Sequence, residues 1–291
     1  MSFIFIRLWF AFARLPFWLY RLLAVFLCVC LTGVVLVFGA ERRHVAWVNL
    51  KLCFPGTSNT RRVVWCVQHV YCYLRTFLDR GWLWRGNPQV VTRRVLIENP
   101  QRLAKLVGNN QPTLFLVPHF LGLDAAWSRL CLETDMVTMY SNQKNPALNA
   151  AILAGRSAYG QPLLLPRQAG VRPLLAAMKQ GRPLYYLPDM DFGPKESLFV
   201  PFFGVQAATV PAVSRLARLL GAQVVLVTTR FYRGRYLVHI HEPLASFPLP
   251  TDAESTRVVN RLVETLVLQN PAQYLWTHKR LNPSGGEPPV Y

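Results

Sequence analysis

The sequence predicts an α/β layered protein with a mainly parallel central sheet, preceded by a hydrophobic N-terminal helix that anchors it in a membrane. Three observations predict it. Between residues 113 and 269, short apolar runs alternate with longer amphipathic ones, as strands alternate with crossover helices. A run without any charge, LLAVFLCVCLTGVVLVFGA (22–40), lies near the N-terminus and matches one crossing of a bilayer. Hydrophobic residues make up 52% of the chain, high for a protein without membrane contact. At 291 residues the chain suffices for one large domain. The expected division is 1–45 for the anchor and interfacial helices, and 46–291 for the globular domain.

At the N-terminus, Arg7, Arg14 and Arg21 recur every seventh residue among Trp9, Phe10, Phe12, Phe17, Trp18 and Tyr20. On a continuous helix they share one face, which suits a helix lying at a membrane interface or a buried helix with snorkelling arginines. A cleaved signal peptide is disfavoured by the aromatic lead-in and by Phe38, where cleavage before Glu41 needs a small residue. Residues 60–80 carry helical spacing (Val63, Val67, Val70, Leu74, Phe77, Leu78). Strands are expected at Thr113–Val117, Met136–Tyr140, Pro162–Leu165, Pro183–Leu187, Val224–Thr229 and Tyr236–His241. Helices are expected at Leu123–Leu132, Pro146–Tyr159, Val171–Lys179, Ala208–Leu220 and Asp252–Gln269.

Net charge is +18, from 32 basic against 14 acidic residues, which favours anionic partners. Nucleic acid is disfavoured, because the basic residues form no long run and no nucleic-acid motif is present. The six cysteines make no CxxC pair and no zinc spacing, so they read as reduced, mostly buried thiols.

Chemistry concentrates where predicted strands end. In LVPHFLGLDAAW (116–127), the strand stops at Pro118, His119 follows on the loop, and Asp124 enters the first turn of a helix. Across such a turn the carboxylate can return to the imidazole, leaving the other ring nitrogen to take a proton from a hydroxyl. The residues alone leave a second reading open, in which Asp124 favours the helix N-terminus and His119 is an ordinary loop residue. A second strand end, YLPDMDFGPKESLFVPFFG (186–204), carries Asp189, Asp191 and Lys195, and is open to reading as a solvated turn. Between the two, Asn142, Lys144 and Arg156 are placed to meet phosphate or acidic groups. GRSAYG (155–160) has the wrong spacing and context for a nucleophile elbow. His239 and His241 share a strand face without an evident third metal ligand.

The His-x4-Asp core of PHFLGLD resembles the H-x4-D/E motif of glycerolipid acyltransferases. Together with VNLKLCFP (48–55), MYSNQKN (139–145), LPDMDFG (187–193), FVPFFG (199–204) and NPAQYLWTHKR (270–280), it makes the chain similar to the bacterial lipid A late acyltransferases over nearly its whole length. The short motif alone is weakly specific; the ordered set is strong. Asp124 and Met190 depart from the Glu and Gln that many members carry there.

The resemblance implies a glycerolipid-acyltransferase-like domain over 46–291 and transfer of a fatty acyl group from acyl carrier protein to a hydroxyl of a lipid A precursor. A lysophospholipid or aminolipid is the alternative acceptor. It implies His119 as base and Asp124 as its partner, with oxyanion donors from Arg156 or from backbone amides at the following helix. Asn142, Lys144, Arg156, Asp189, Asp191 and Lys195 are the expected substrate-binding residues. Phe199, Phe202 and Phe203 either line an acyl channel or pack the core. No metal or cofactor is expected, because a thioester donor is already activated. The basic surface and anchor suit an anionic lipid, an acidic carrier protein and the cytoplasmic leaflet of the bacterial inner membrane.

Overall fold

A computed structural model describes residues 3–85, 87–281 and 290–291. The chain opens with α1 (Phe3–Phe12), α2 (Phe17–Phe38), α3 (Ala40–Cys53), α4 (Asn59–Arg85) and α5 (Pro88–Arg94). It continues through β1 (Val95–Ile97), α6 (Pro100–Gly108), β2 (Thr113–Leu116), α7 (Leu123–Leu130), β3 (Val137–Tyr140) and α8 (Pro146–Arg156). Then come β4 (Leu163–Pro166), α9 (Arg172–Lys179), β5 (Leu184–Tyr186), β6 (Leu198–Phe202) and β7 (Val205–Thr209). The last elements are α10 (Ala212–Leu220), β8 (Gln223–Tyr232), β9 (Arg235–Pro243) and α11 (Asp252–Gln269).

Seven strands form one sheet in the order β1-β9-β8-β2-β5-β3-β4, parallel throughout except between β8 and β9. The central β2 is buried on both faces, as a parallel strand covered by helices must be. Its side chains alternate between two cores. Phe115 packs with α1, α4 and α7 on one side, whereas Leu114 and Leu116 pack with α9, α10 and α11 on the other. The expected strands and the helices α7, α8, α9 and α11 therefore stand close to where the sequence puts them. The Thr251–Glu254 capping box fixes the start of α11.

Ala208–Leu220 is not one helix. Residues 205–209 pair antiparallel with β6 around a turn at Phe203 and Gly204, both with positive φ, and the helix begins only after Pro211. Strands β1, β6 and β7 are too short or too weakly patterned to stand out in the sequence. Pro16 also separates α1 from α2, so the seven-residue arginine spacing does not lie on one helix. Arg14 falls in the connection and Arg21 on the second helix.

The boundary expected at residue 45 lies inside α3, and the first helices are built into the fold. Trp9 and Phe10 of α1 and Tyr20 and Ala24 of α2 share a core with the sheet. Along α2 only Tyr20, Ala24, Cys28 and Thr32 are buried, one stripe at helical spacing laid against α4. The rest of this 22-residue helix presents Trp18, Leu22, Phe26, Val34 and Phe38 outward. By length and composition it can cross a bilayer. A buried polar cluster fastens its first turn. The Tyr20 and Tyr236 hydroxyls donate to Asp79 of α4 at 2.6 and 2.8 Å, and Arg75 donates to the same carboxylate at 3.1 Å. None of the six cysteines is in a disulfide, and four of them are buried.

Helices α4 and α8 approach through Gly155, where a Cβ would stand 2.3 Å from ring carbons of Trp84. Gly155→Ala is therefore expected to lower stability by about 1–3 kcal/mol, the usual cost of overpacking, and to weaken the placement of the adjoining Arg156. A thermal-denaturation midpoint equal to that of the parent chain would contradict this packing.

Candidate active site

The loops after β2, β3 and β5 gather at one end of the sheet, the carboxyl ends of its parallel strands. Pro118 ends β2, and the loop that follows is held from three sides. The backbone N–H of His119 donates to Asp189 Oδ2 at 2.9 Å, and its carbonyl accepts from Leu275 at 3.0 Å. Leu121 donates to the Gln273 carbonyl at 2.8 Å. Gly122 then lets the chain pass Thr229, whose Cγ2 would lie 2.8 Å from a Cβ. Helix α7 starts immediately after it.

The imidazole is fixed as firmly as its backbone. Nδ1 of His119 donates to Asp189 Oδ1 at 2.6 Å, so one carboxylate holds both the ring and the main chain. Asp189 is buried, which alone would raise its pKa. The charge and hydrogen bonds of His119, and the charge of Arg280, outweigh burial and hold it well below the usual carboxylate range. Tyr274, also buried, feels the Asp189 charge, and its phenol pKa is pushed well above the ordinary value, first by burial and then by that charge.

Asp124 does not pair with His119. It enters the first turn of α7 as expected, but its carboxylate accepts from Arg80 of α4 at 2.7 Å and from Arg156 of α8 at 3.1 and 3.2 Å. Two guanidinium groups reach it from flanking helices, leaving the imidazole to Asp189. Burial pushes the Asp124 pKa up, and the two arginines more than reverse it. Arg156 is further fixed through its carbonyl, which accepts from Trp127 Nε1 at 2.8 Å.

Of the other expected residues, Asp191 borders the site. Its backbone N–H donates to His278 Nε2 at 3.2 Å, and its side chain turns back to Gly193 N at 2.7 Å. Asn142 and Lys144 are exposed on the loop after β3, and Lys195 is exposed on a short 3-10 turn. Phe202 is buried against Tyr274, and Phe203 lies tilted against Phe54, so these two pack the core. His239 meets Glu98 at 3.3 Å, and among the described residues no group of His, Cys, Asp and Glu has the arrangement of a metal site.

Reading by sequence spacing missed Arg80, Tyr274, His278 and Arg280. The last three lie in NPAQYLWTHKR, a block that carries the family resemblance. Arg280 is buried, with Nη2 donating to Asn260 Oδ1 at 3.1 Å and its guanidinium over the Phe202 ring. Asn49 of α3 donates to the carbonyls of Trp276 and His278 at 2.7 and 2.9 Å, clamping this segment beneath the site.

The pKa of His278 is lowered to about 4, by burial first and then by neighbouring His119, and that of the fully buried His69 is likewise lowered to about 4 by burial. Between about pH 6.5, where a free imidazole titrates, and about pH 4, the unfolded chain binds protons that the folded chain refuses. Stability is thus expected to fall as pH drops through that window. His69→Gln should flatten the slope of melting temperature against pH; an unchanged slope would contradict a neutral buried imidazole.

The profile of the family described as bacterial lipid A biosynthesis acyltransferase matches residues 1–282. The chain is 30% identical over 247 residues to the lipid A biosynthesis myristoyltransferase of Escherichia coli K12, covering 84% of this chain and 76% of that one. It is 29% identical to the lauroyltransferase of the same organism, covering 84% and 80%, and 29% identical to lipid A biosynthesis acyltransferase 2 of Shigella flexneri, covering 83% and 78%. A solved structure, the 1-acyl-sn-glycerophosphate acyltransferase of Thermotoga maritima, aligns at 14% identity and a TM-score of 0.41, over 86% of this chain and 97% of that one. With a family profile spanning almost its full length, the chain belongs to the bacterial lipid A biosynthesis acyltransferases.

Proposed function

We propose that this acyltransferase moves a fatty acyl group from acyl carrier protein to a hydroxyl of a lipid A precursor, with His119 as general base. The observation that carries the reading is the double hold of Asp189 on His119, at ring and backbone, within a chain of this family. Nδ1 bears the proton given to Asp189, which leaves Nε2 to remove the acceptor proton as the oxygen attacks the thioester carbonyl. The thiol of the carrier leaves when the tetrahedral intermediate collapses, and the proton taken by His119 returns to that sulfur. Asp189 fixes the tautomer and offsets the imidazolium charge.

Asp124 takes a positioning role here. It holds Arg156 and Arg80 beside the start of α7, where Arg156 is the candidate donor to the oxyanion. Exposed Lys144 and Asn142 suit the anionic acceptor or the acidic carrier, and α2 suits a bilayer anchor on the cytoplasmic side of the inner membrane. A lysophospholipid or aminolipid acceptor would use the same base, and offering these acceptors in parallel with the carrier thioester separates the readings.

His119→Ala is expected to lower transfer by roughly 10²–10⁴-fold with fold and membrane association retained, and Asp189→Asn to act chiefly on kcat. Asp124→Asn should loosen both arginines and cost stability as well as rate. Full transfer by His119→Ala in a radiolabelled-acyl assay would overturn the mechanism.

A further inference from the structure

Arg21, the third of the regularly spaced arginines, meets two others once Pro16 has placed it on α2. Val95 of β1 stands in register with Tyr236 of β9, so Arg94 and Arg235, just before them, are neighbours at the same end of adjacent strands. Arg21 reaches over the tip of the β8–β9 hairpin, where its Nε lies 3.4 Å from the position a Cβ would take on Gly234. Arg94 also lies over the Phe17 ring.

Among the described residues, no carboxylate is ion-paired with Arg21, Arg94 or Arg235. Asp79, the acid whose charge bears on Arg94, is already shared by Arg75, Tyr20 and Tyr236. Burial, and then the charges of Arg235 and Arg21, pull the Arg94 pKa below its ordinary value. Arg94 ends α5 and Arg235 begins β9, and like charges held side by side cost stability. A cluster without an internal counterion draws an anion from outside, and guanidinium forks match phosphate oxygens.

The cluster also opens onto something apolar. Arg21 and Arg94 line a groove of about 940 Å³ whose other walls include Phe17, Trp18, Leu22 and Phe26. Trp18, Leu22 and Phe26 are 66%, 62% and 69% exposed. A free phosphate would use only the charged end of this groove, whereas an amphiphile uses both.

We propose that Arg21, Arg94 and Arg235 bind the phosphate of a phosphorylated lipid whose acyl chain lies along the exposed face of α2 from Leu22 to Val29. The site contains no member of the His119–Asp189 pair, and its occupancy is read by binding instead of turnover. The full chain in dodecyl maltoside would be titrated with dihexanoyl phosphatidic acid, with dihexanoylglycerol and with inorganic phosphate, followed by melting temperature and native mass spectrometry. Phosphatidic acid is expected to raise the melting temperature and to be retained as a bound lipid. Dihexanoylglycerol should do neither, and inorganic phosphate should give a clearly smaller shift. Arg235→Gln should weaken phosphatidic acid binding about tenfold, the loss expected for one charge-assisted hydrogen bond. Its lipid-free melting temperature should equal or exceed that of the parent, because a repulsion has been removed. Arg21→Gln, on an exposed side chain, provides the second variant. Unchanged phosphatidic acid affinity in both variants, or equal binding of dihexanoylglycerol, would overturn the site. An inorganic phosphate shift as large as that of phosphatidic acid would overturn its assignment to a lipid.

Discussion

A carboxylate removed from water must be neutralised where it sits, and in this chain that constraint ties the fold together at three points. Asp79, Asp124 and Asp189 are all buried. Each gathers partners from elements far apart in sequence: α2, α4 and β9 around Asp79; α4, α7 and α8 around Asp124; the β2 and β5 loops around Asp189. Taking away one partner of such a pair leaves a buried charge uncompensated, at a cost of about 3–5 kcal/mol. With only 14 acidic residues in the chain, these three are committed to joining elements.

Helix α4 emerges as the part that links the others. One of its faces carries Arg75 and Asp79 to the first turn of α2, and the next residue, Arg80, reaches Asp124. Trp84 completes the contact by seating Gly155 of α8. The apolar helix and the candidate active site are therefore braced by the same 27-residue rod. Residues of α1 and α2 accordingly share one core with the sheet.

What could be read from the sequence follows the range of the interactions involved. The alternation of strands and helices is local patterning, and it located the parallel sheet, the His119 loop and α11 closely. The expected partner of His119 was the acid nearest in sequence, whereas Asp189 arrives from the next-but-two strand and Arg80 comes from 44 residues upstream of Asp124. Nothing in the spacing of PHFLGLD reports how many cations compete for Asp124. The arginine heptad failed for the opposite reason: Pro16 is a local signal, and it outranks the periodicity laid across it. Tyr274, His278 and Arg280 stood inside a block that marked the family, but only the folded tail gives them neighbours.

The clamp of Asn49 on the Trp276 and His278 carbonyls has a geometric consequence. Asn49 sits on α3, the helix that follows α2 after Gly39, and the clamped tail carries the amide of Leu275 that holds the His119 carbonyl. This makes a short strut between the apolar helix and His119. With α2 in lipid, the imidazole stands at one set height above the hydrocarbon. On the proposed role of His119, the depth at which an acceptor carries its hydroxyl would then act as a selection rule, set by how the chain is mounted and not by the shape of a pocket.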